Sequence, residues 1–247
     1  LYDLRFCNQT FSTGKGSKRS GKRLLTVGTD CSVGKKYTAL AIEKAMKENA
    51  FKCEFKATGQ TGILIAERGI AIDAIVSDFV SGAVEWLSPD NDSDHWDIIE
   101  GQGSLFHPSF AGVSLGLLHG SQPDAIILCH EPTRTNMRGV DTSIPSIQEC
   151  IDENIRLGKL TNPNIRCIGV ALNTSDMNSD SWLSKNIRPI GMSWVLVMTS
   201  LLMIVAWCGV STPEAVIMMF GGLATSITGG YYVLRTVEKR NSRKYNK

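Results

Sequence analysis

The chain has 247 residues and a mass of 27.0 kDa, with 43% hydrophobic and 20% charged residues. This ordinary globular composition excludes a disordered or fibrous protein. The charge is unevenly divided, because residues 1–176 carry a net charge of −3 and residues 177–247 carry +5. The acidic front part lacks the basic stripe of a nucleic-acid-binding domain, so we expect no nucleic-acid partner.

The first 21 residues show no apolar periodicity and end in a stretch rich in Gly, Ser and Lys. We interpret residues 1–21 as a linker or as the remnant of a missing N-terminal domain, because the chain also starts without Met.

From residue 22 to residue 176, short apolar runs alternate with longer amphipathic ones. This pattern predicts an α/β domain with a parallel sheet covered by helices on both faces. We predict strands at residues 24–27, 53–57, 97–99, 125–129 and 167–172. We predict helices at residues 35–49, 72–87, 113–120 and 146–157.

A glycine-rich loop with a terminal lysine follows the first predicted strand and precedes a helix, which is the context of a phosphate-binding loop. Its glycines let main-chain N–H groups face an anion, and the helix N-terminus adds partial positive charge. We expect this loop and the next lysine to bind phosphate through Gly28, Thr29, Asp30, Cys31, Ser32, Val33, Gly34, Lys35 and Lys36.

The residue after Lys35 is Lys36, where a P-loop normally carries Ser or Thr to hold Mg²⁺. Thr38 lies two positions further on, and roughly 200° round the helix, so it is a poor substitute. The pattern therefore argues against an obligatory Mg²⁺. Lys36 gives the loop a second cation beside Lys35, which suits a ligand with more phosphate. A solvated helix residue without a binding role explains Lys36 equally well.

Polar groups follow the second and third predicted strands. Glu100 ends an apolar strand and is followed by glycines, which suits a general base or a metal ligand. Gln60 and Thr61 reach the same edge of the sheet, and we predict that they bind substrate. The alternative for Glu100 is a solvent-exposed strand end.

The fourth and fifth predicted strands end in further candidates. His130 is a candidate catalytic residue, and Arg134 and Arg138 are candidate clamps for a carboxylate substrate, because a guanidinium matches two oxygens. A surface role explains these arginines equally well. Asn173 ends the fifth strand and could contact a nucleotide base. No histidine has metal-ligand spacing, and we assign no metal.

Residues 190–210 and 215–234 contain no charged side chain, and each segment is long enough to span a bilayer as a helix. Basic residues flank the pair on both sides, which predicts a transmembrane hairpin with both termini cytoplasmic. We therefore expect a cytoplasmic domain attached to the inner face of a membrane through residues 190–234. Two buried core helices are the alternative interpretation.

These motifs resemble the P-loop domain of the DgcN-like family of D-glutamate N-acetyltransferases. The similarity is carried by VGTDCSVGKKYTAL, ATGQTGILIAERGIAI, HWDIIEGQGSLFHPSFAGVSLGLLHG and SQPDAIILCHEPTRTNMRG, and it covers about residues 23–174. It implies a P-loop fold and acetyl transfer from acetyl-CoA to the amine of D-glutamate. That family carries an additional N-terminal domain, and its P-loop domain continues past the fifth strand.

A more distant resemblance links the chain to the dethiobiotin synthetase group, through Gly28–Lys35 and Glu100–Gly103. It implies ATP and Mg²⁺ and therefore a kinase or ligase. Residues 177–247 are similar to a small phage-type holin, which suggests a fusion of two unrelated sequences. In that third alternative the hairpin forms a homo-oligomer that permeabilises a membrane, and the P-loop domain is a passenger.

Overall fold

A computed structural model of the chain describes residues 3–7, 9–175 and 177. The compact unit of the domain ends at Thr174. The predicted hairpin, with spans 190–210 and 215–234, lies outside the described residues and stays a prediction. In the described part, no helix is both long enough and apolar enough to cross a bilayer.

Five parallel strands form one sheet in the order β2-β3-β1-β4-β5. Each runs within two residues of its predicted position, since the strands coincide with short apolar or alternating runs that are distinct in sequence. The predicted α/β fold of the front part is therefore confirmed. The strands are β1 (Lys22–Gly28), β2 (Cys53–Lys56), β3 (Trp96–Ile99), β4 (Ala125–His130) and β5 (Arg166–Leu172).

Helices cover both faces of this sheet. On one face, α1 and α2 pack on a cluster that includes Leu24, Phe55 and Ile98. On the other face, α3, α4 and α5 pack on a cluster that includes Leu25 and Ile99. Successive strand residues thus enter opposite cores, as the pleat requires. The helices are α1 (Lys35–Glu48), α2 (Gln60–Ala66), α3 (Val80–Leu87), α4 (Ala111–Ser121) and α5 (Ile147–Gly158).

The predicted helix at residues 72–87 is wrong in its first half. Two 3-10 turns, Ile72–Ala74 and Ser77–Phe79, precede α3. The chain is held out of a helix because the N–H of Ile70 donates to the Ala57 carbonyl and that of Ile72 donates to the Thr58 carbonyl. These bonds pull the segment across the end of β2.

The segment interpreted as a linker is packed against the domain. The N–H groups of Lys15 and Gly16 donate to the Glu85 carboxylate at 2.8–3.0 Å. The buried Arg19 guanidinium donates to carbonyl oxygens at the ends of α3 and α4, those of Glu85, Ser88 and Gly120. We refer to residues 9–21 as the strap.

Gly82 of α3 allows the strap to lie against the helix, because a Cβ at Gly82 would lie 1.8 Å from the Ser12 carbonyl oxygen. We therefore expect Gly82→Ala to displace the strap and to lower the free energy of unfolding by about 1–3 kcal/mol, the usual cost of overpacking. Limited proteolysis within residues 9–21, read by mass spectrometry, should become faster. Gly112→Ala in α4 is the matched control, because a Cβ there meets no atom within 4 Å. Equal proteolysis of the two variants would contradict this account.

Candidate functional site

The glycine-rich loop connects β1 to α1, as predicted, and Lys35 begins α1 with its side chain turned back into the loop. The Lys35 Nζ donates to the main-chain oxygen of Asp30 at 2.8 Å, and burial lowers the pKa of this lysine. Gly28 has no room for a side chain, since a Cβ there would lie 2.9 Å from the Lys35 Nζ. Gly34 has a φ of 101°, which favours glycine.

Asp30 holds the loop to the segment that follows β4. One carboxylate oxygen, Oδ2, accepts from Arg134 Nη1 at 2.7 Å and from the N–H of Arg138 at 2.8 Å. The other, Oδ1, accepts from the N–H of Cys31 at 2.7 Å. Burial alone would raise the pKa of Asp30, but these hydrogen bonds outweigh it and hold the pKa below its ordinary value.

Arg134 is already paired inside the protein. Besides Asp30, its guanidinium contacts the Glu131 carboxylate and donates to the Cys31 carbonyl at 2.8 Å. Binding a substrate carboxylate there would require breaking these contacts. The predicted clamp role of Arg134 stays a prediction, and the structure adds a role in bracing the loop.

Glu100 ends β3 and is buried rather than exposed at the strand end. Its Oε2 accepts from the N–H groups of Thr58 and Gly59 at 3.0 and 3.1 Å. Burial raises the pKa of Glu100, against the opposing effects of these two hydrogen bonds and of Lys36 and Lys35. A buried carboxylate whose pKa is raised is suited to accept a proton from a bound group.

Gly101 explains how this carboxylate comes to lie beside the loop. A Cβ at Gly101 would lie 1.6 Å from the Thr26 carbonyl oxygen of β1, so only glycine permits the close approach. The N–H of Gly101 donates to the Thr26 hydroxyl at 3.0 Å. The chain after β3 is thereby held against the start of the loop.

The other predicted residues lie along the same edge. Gln60 and Thr61 are exposed at the start of α2. His130 Nδ1 lies 3.0 Å from the Thr29 hydroxyl, and burial lowers the pKa of this imidazole. The N–H of Asn173 donates to the His130 carbonyl at 2.7 Å.

The remaining loop residues are placed differently from one another. The Val33 side chain is buried in the core, so it can contact a ligand only through its main chain. The Ser32 hydroxyl accepts from Arg138 Nη1 at 2.6 Å, and the half-buried Lys36 lies with its ammonium 4.7 Å from the Tyr37 ring.

Sequence reasoning missed His107. This buried imidazole accepts from the N–H of Ser109 at Nδ1, so its Nε2 carries the proton and donates to the Arg138 carbonyl at 3.0 Å. His107 therefore fixes the main chain of Arg138. Only its place in an apolar, aromatic stretch after Glu100 hinted at burial.

Among the residues that the structure describes, two groups of side chains have the composition of a metal site. Asp30, Cys31 and His107 lie at the loop, but Asp30 and His107 are already hydrogen-bonded within the protein. A second group contains Glu54 and Asp97. It lies near the N-terminal ends of β2 and β3, whereas the loop follows the C-terminal end of β1. There Lys56 pairs with both carboxylates, at 2.8 and 3.6 Å. We assign no metal to either group.

This strand order, with a glycine-rich loop and a buried lysine between β1 and α1, defines a P-loop α/β domain. The chain belongs to the family described as "Domain of unknown function (DUF1611_C) P-loop domain", whose model matches residues 10–191. This match includes the strap from residue 10 onwards and the whole sheet.

Two curated relatives are named D-glutamate N-acetyltransferase. The relative from Pseudoalteromonas sp is 62% identical over 179 residues, which are 72% of this chain and 54% of the relative. The relative from Tritonibacter scottomollicae is 51% identical over 181 residues, 73% of this chain and 54% of the relative. The chain spans about half the length of these relatives. The resemblance of the front part to the DgcN-like family is confirmed.

A solved structure agrees with this assignment. The crystal structure of a DUF1611 family protein from Anabaena variabilis ATCC 29413 superposes with a TM-score of 0.67 at 33% identity, covering 72% of this chain and 53% of the other.

The Asp30–Arg134 pair should be essential for stability. Asp30→Asn leaves Arg134 paired with Glu131 alone and replaces a buried charged acceptor by a neutral amide, and we expect a loss of about 2 kcal/mol in the free energy of unfolding. Urea unfolding measures this loss. Glu153→Gln breaks the exposed pair with Arg156 and should leave the free energy of unfolding nearly unchanged. Similar losses of unfolding free energy in Asp30→Asn and Glu153→Gln would contradict the stabilising role of the Asp30–Arg134 pair.

Glu100 should make stability depend on pH. Because its pKa is raised above the ordinary 4.5 in the folded chain, the folded state binds this proton more tightly than the unfolded state does. Its contribution is complete below pH 4.5 and is lost as the pH rises through the raised pKa. Glu100→Gln removes this titration, so in urea unfolding the variant should gain stability relative to wild type as the pH rises above 4.5.

Glu149→Gln is a control in which the effect of pH on stability should have the opposite sign. Hydrogen bonds with Ser146 lower the pKa of Glu149, so this carboxylate stabilises the chain above its ordinary pKa, and its removal should cost stability as the pH rises. A Glu100→Gln profile parallel to wild type would show that the Glu100 pKa is not raised.

Proposed function

We propose that this chain is the P-loop part of an N-acetyltransferase that moves an acetyl group from acetyl-CoA to the amine of D-glutamate. The names of the two curated relatives support this activity. The main structural support for this activity is that the buried Glu100 carboxylate accompanies a phosphate-binding loop with no hydroxyl residue directly after its lysine. Such a site combines a base with a place for a diphosphate.

The geometry of the loop supports a diphosphate ligand such as that of CoA. The cradle around Gly28 is closed to any side chain, and Lys35 lies at its centre. Lys36 occupies the position of the Mg²⁺-binding hydroxyl, and Thr38 hydrogen-bonds to the Cys129 thiol. Protein cations can therefore balance the charge of the diphosphate without a metal.

The proposed reaction needs one base and one acid. The amine nitrogen of D-glutamate attacks the thioester carbonyl, so a C–N bond forms while the C–S bond breaks. Glu100 accepts the proton that the amine loses, for which its raised pKa is suited. The departing CoA thiolate then takes a proton, and Glu100 is the proposed donor because it holds the proton that the amine has lost. The catalytic role of His130 stays a prediction.

Acetyl transfer should proceed with purified full chain, acetyl-CoA and D-glutamate in the presence of EDTA. We expect Glu100→Gln to lower kcat by about 100-fold or more, because a general base typically contributes this much. Lys35→Ala should raise the KM for acetyl-CoA. Release of free CoA thiol and mass spectrometry of N-acetyl-D-glutamate measure both effects, and Glu153→Gln serves as a surface control.

The same preparation tests the second candidate, an ATP-dependent kinase or ligase of the dethiobiotin synthetase type. Magnesium-dependent ATP turnover without acetyl transfer would replace the proposed function with this alternative. Acetyl transfer that survives EDTA would exclude it.

Membrane attachment through residues 190–234, with both termini cytoplasmic, stays a proposal from the sequence. The same holds for a homo-oligomer formed by the hairpin. The charge-free stretches and their basic flanks support the membrane attachment.

A further inference from the structure

The cations around the loop differ in whether their charge is already balanced. Arg134 is paired with Asp30 and Glu131, and Lys35 is buried and held by the Asp30 carbonyl. Arg138 is exposed and forms no ion pair with any residue that the structure describes. Within the described residues, its guanidinium makes one hydrogen bond, from Nη1 to the Ser32 hydroxyl at 2.6 Å. Arg138 is therefore the arginine of the site that can bind an anion without breaking an ion pair.

The main chain of Arg138 is fixed although its side chain is exposed. Its N–H donates to the buried Asp30 carboxylate at 2.8 Å, and its carbonyl accepts from the buried His107 imidazole at 3.0 Å. Two buried side chains thus hold the residue in place beside the loop. Such fixing reduces the main-chain entropy that is lost when the residue binds a ligand.

The strand order indicates which end of a bound ligand lies on which side of the loop. Glu100 follows β3 and Arg138 follows β4, and these strands lie on opposite sides of β1, which leads into the loop. A ligand that binds the loop through its diphosphate and brings its thioester to Glu100 must place its other end on the β4 side. In CoA, that other end is an adenosine whose ribose carries a phosphate monoester.

We propose that Arg138 binds the 3′-phosphate of CoA and thereby selects CoA over ligands that lack this group. The inference rests on the proposed function and refines it, because it moves Arg138 from the substrate carboxylate to the cosubstrate. A guanidinium matches phosphate and carboxylate equally well. The position on the side of the loop away from Glu100 favours the phosphate.

The probe is the pair of acetyl-CoA and 3′-dephospho-acetyl-CoA, which differ only in this phosphate. Titration calorimetry on the full chain should show that wild type binds acetyl-CoA about tenfold more tightly, the effect of one charge-assisted contact. Arg138→Gln should bring this ratio to about one, and Arg138→Lys should keep part of it, since the charge remains but the fork is lost.

Matched controls separate this effect from a general loss of charge or fold. Arg156→Gln removes an exposed arginine of α5 and should keep the wild-type ratio. The melting temperature of Arg138→Gln should equal that of wild type, because both anchors of Arg138 are main-chain bonds. The ratio should also shrink as the salt concentration rises.

Each result has a distinct meaning. Equal affinities of wild type for the two ligands, or an unchanged ratio in Arg138→Gln, would overturn the role of Arg138 and leave the proposed acetyl transfer standing. If neither ligand binds wild type, the proposed function fails and the role of Arg138 fails with it.

Discussion

The candidate site depends on one buried carboxylate. Asp30 joins the glycine-rich loop to the segment after β4, and its partner Arg134 lies 104 positions away along the chain. The main-chain oxygen of the same residue holds the Lys35 ammonium. One residue therefore fixes the loop, the lysine inside it and the start of the segment that carries Arg138. An ion pair therefore adds to the glycines that shape this loop.

Arg134 and Arg138 show how the surroundings of a residue determine its use. Both are arginines on one short segment, yet two carboxylates neutralise the first and none pairs with the second in the described part of the chain. Breaking a buried pair costs several kcal/mol, so Arg134 is retained in the scaffold. Glu100 has the complementary property, since burial favours its protonated form and makes its charge responsive to a bound ligand.

The sequence predicted the features whose cause is local. Apolar runs located all five strands, and the glycine spacing located the loop and Lys35. Features that depend on distant partners were missed. The pairing of Arg134 with Asp30, the burial of His107 and the packing of the strap each need the finished fold. Helix α2 was missed because Gln60–Ala66 follows a polar turn, and the 3-10 turns after it are set by bonds to β2.

The strap has a consequence for the order of folding. Arg19 donates to the Gly120 carbonyl across 101 positions of sequence, so this contact forms only after α3 and α4 have packed together. Its docking therefore comes late, and the strap should be among the first parts to open in the native state. Because Arg19 binds carbonyl groups at the ends of both helices, its departure would expose those groups to water together. The two helix ends would then fray as one cooperative unit.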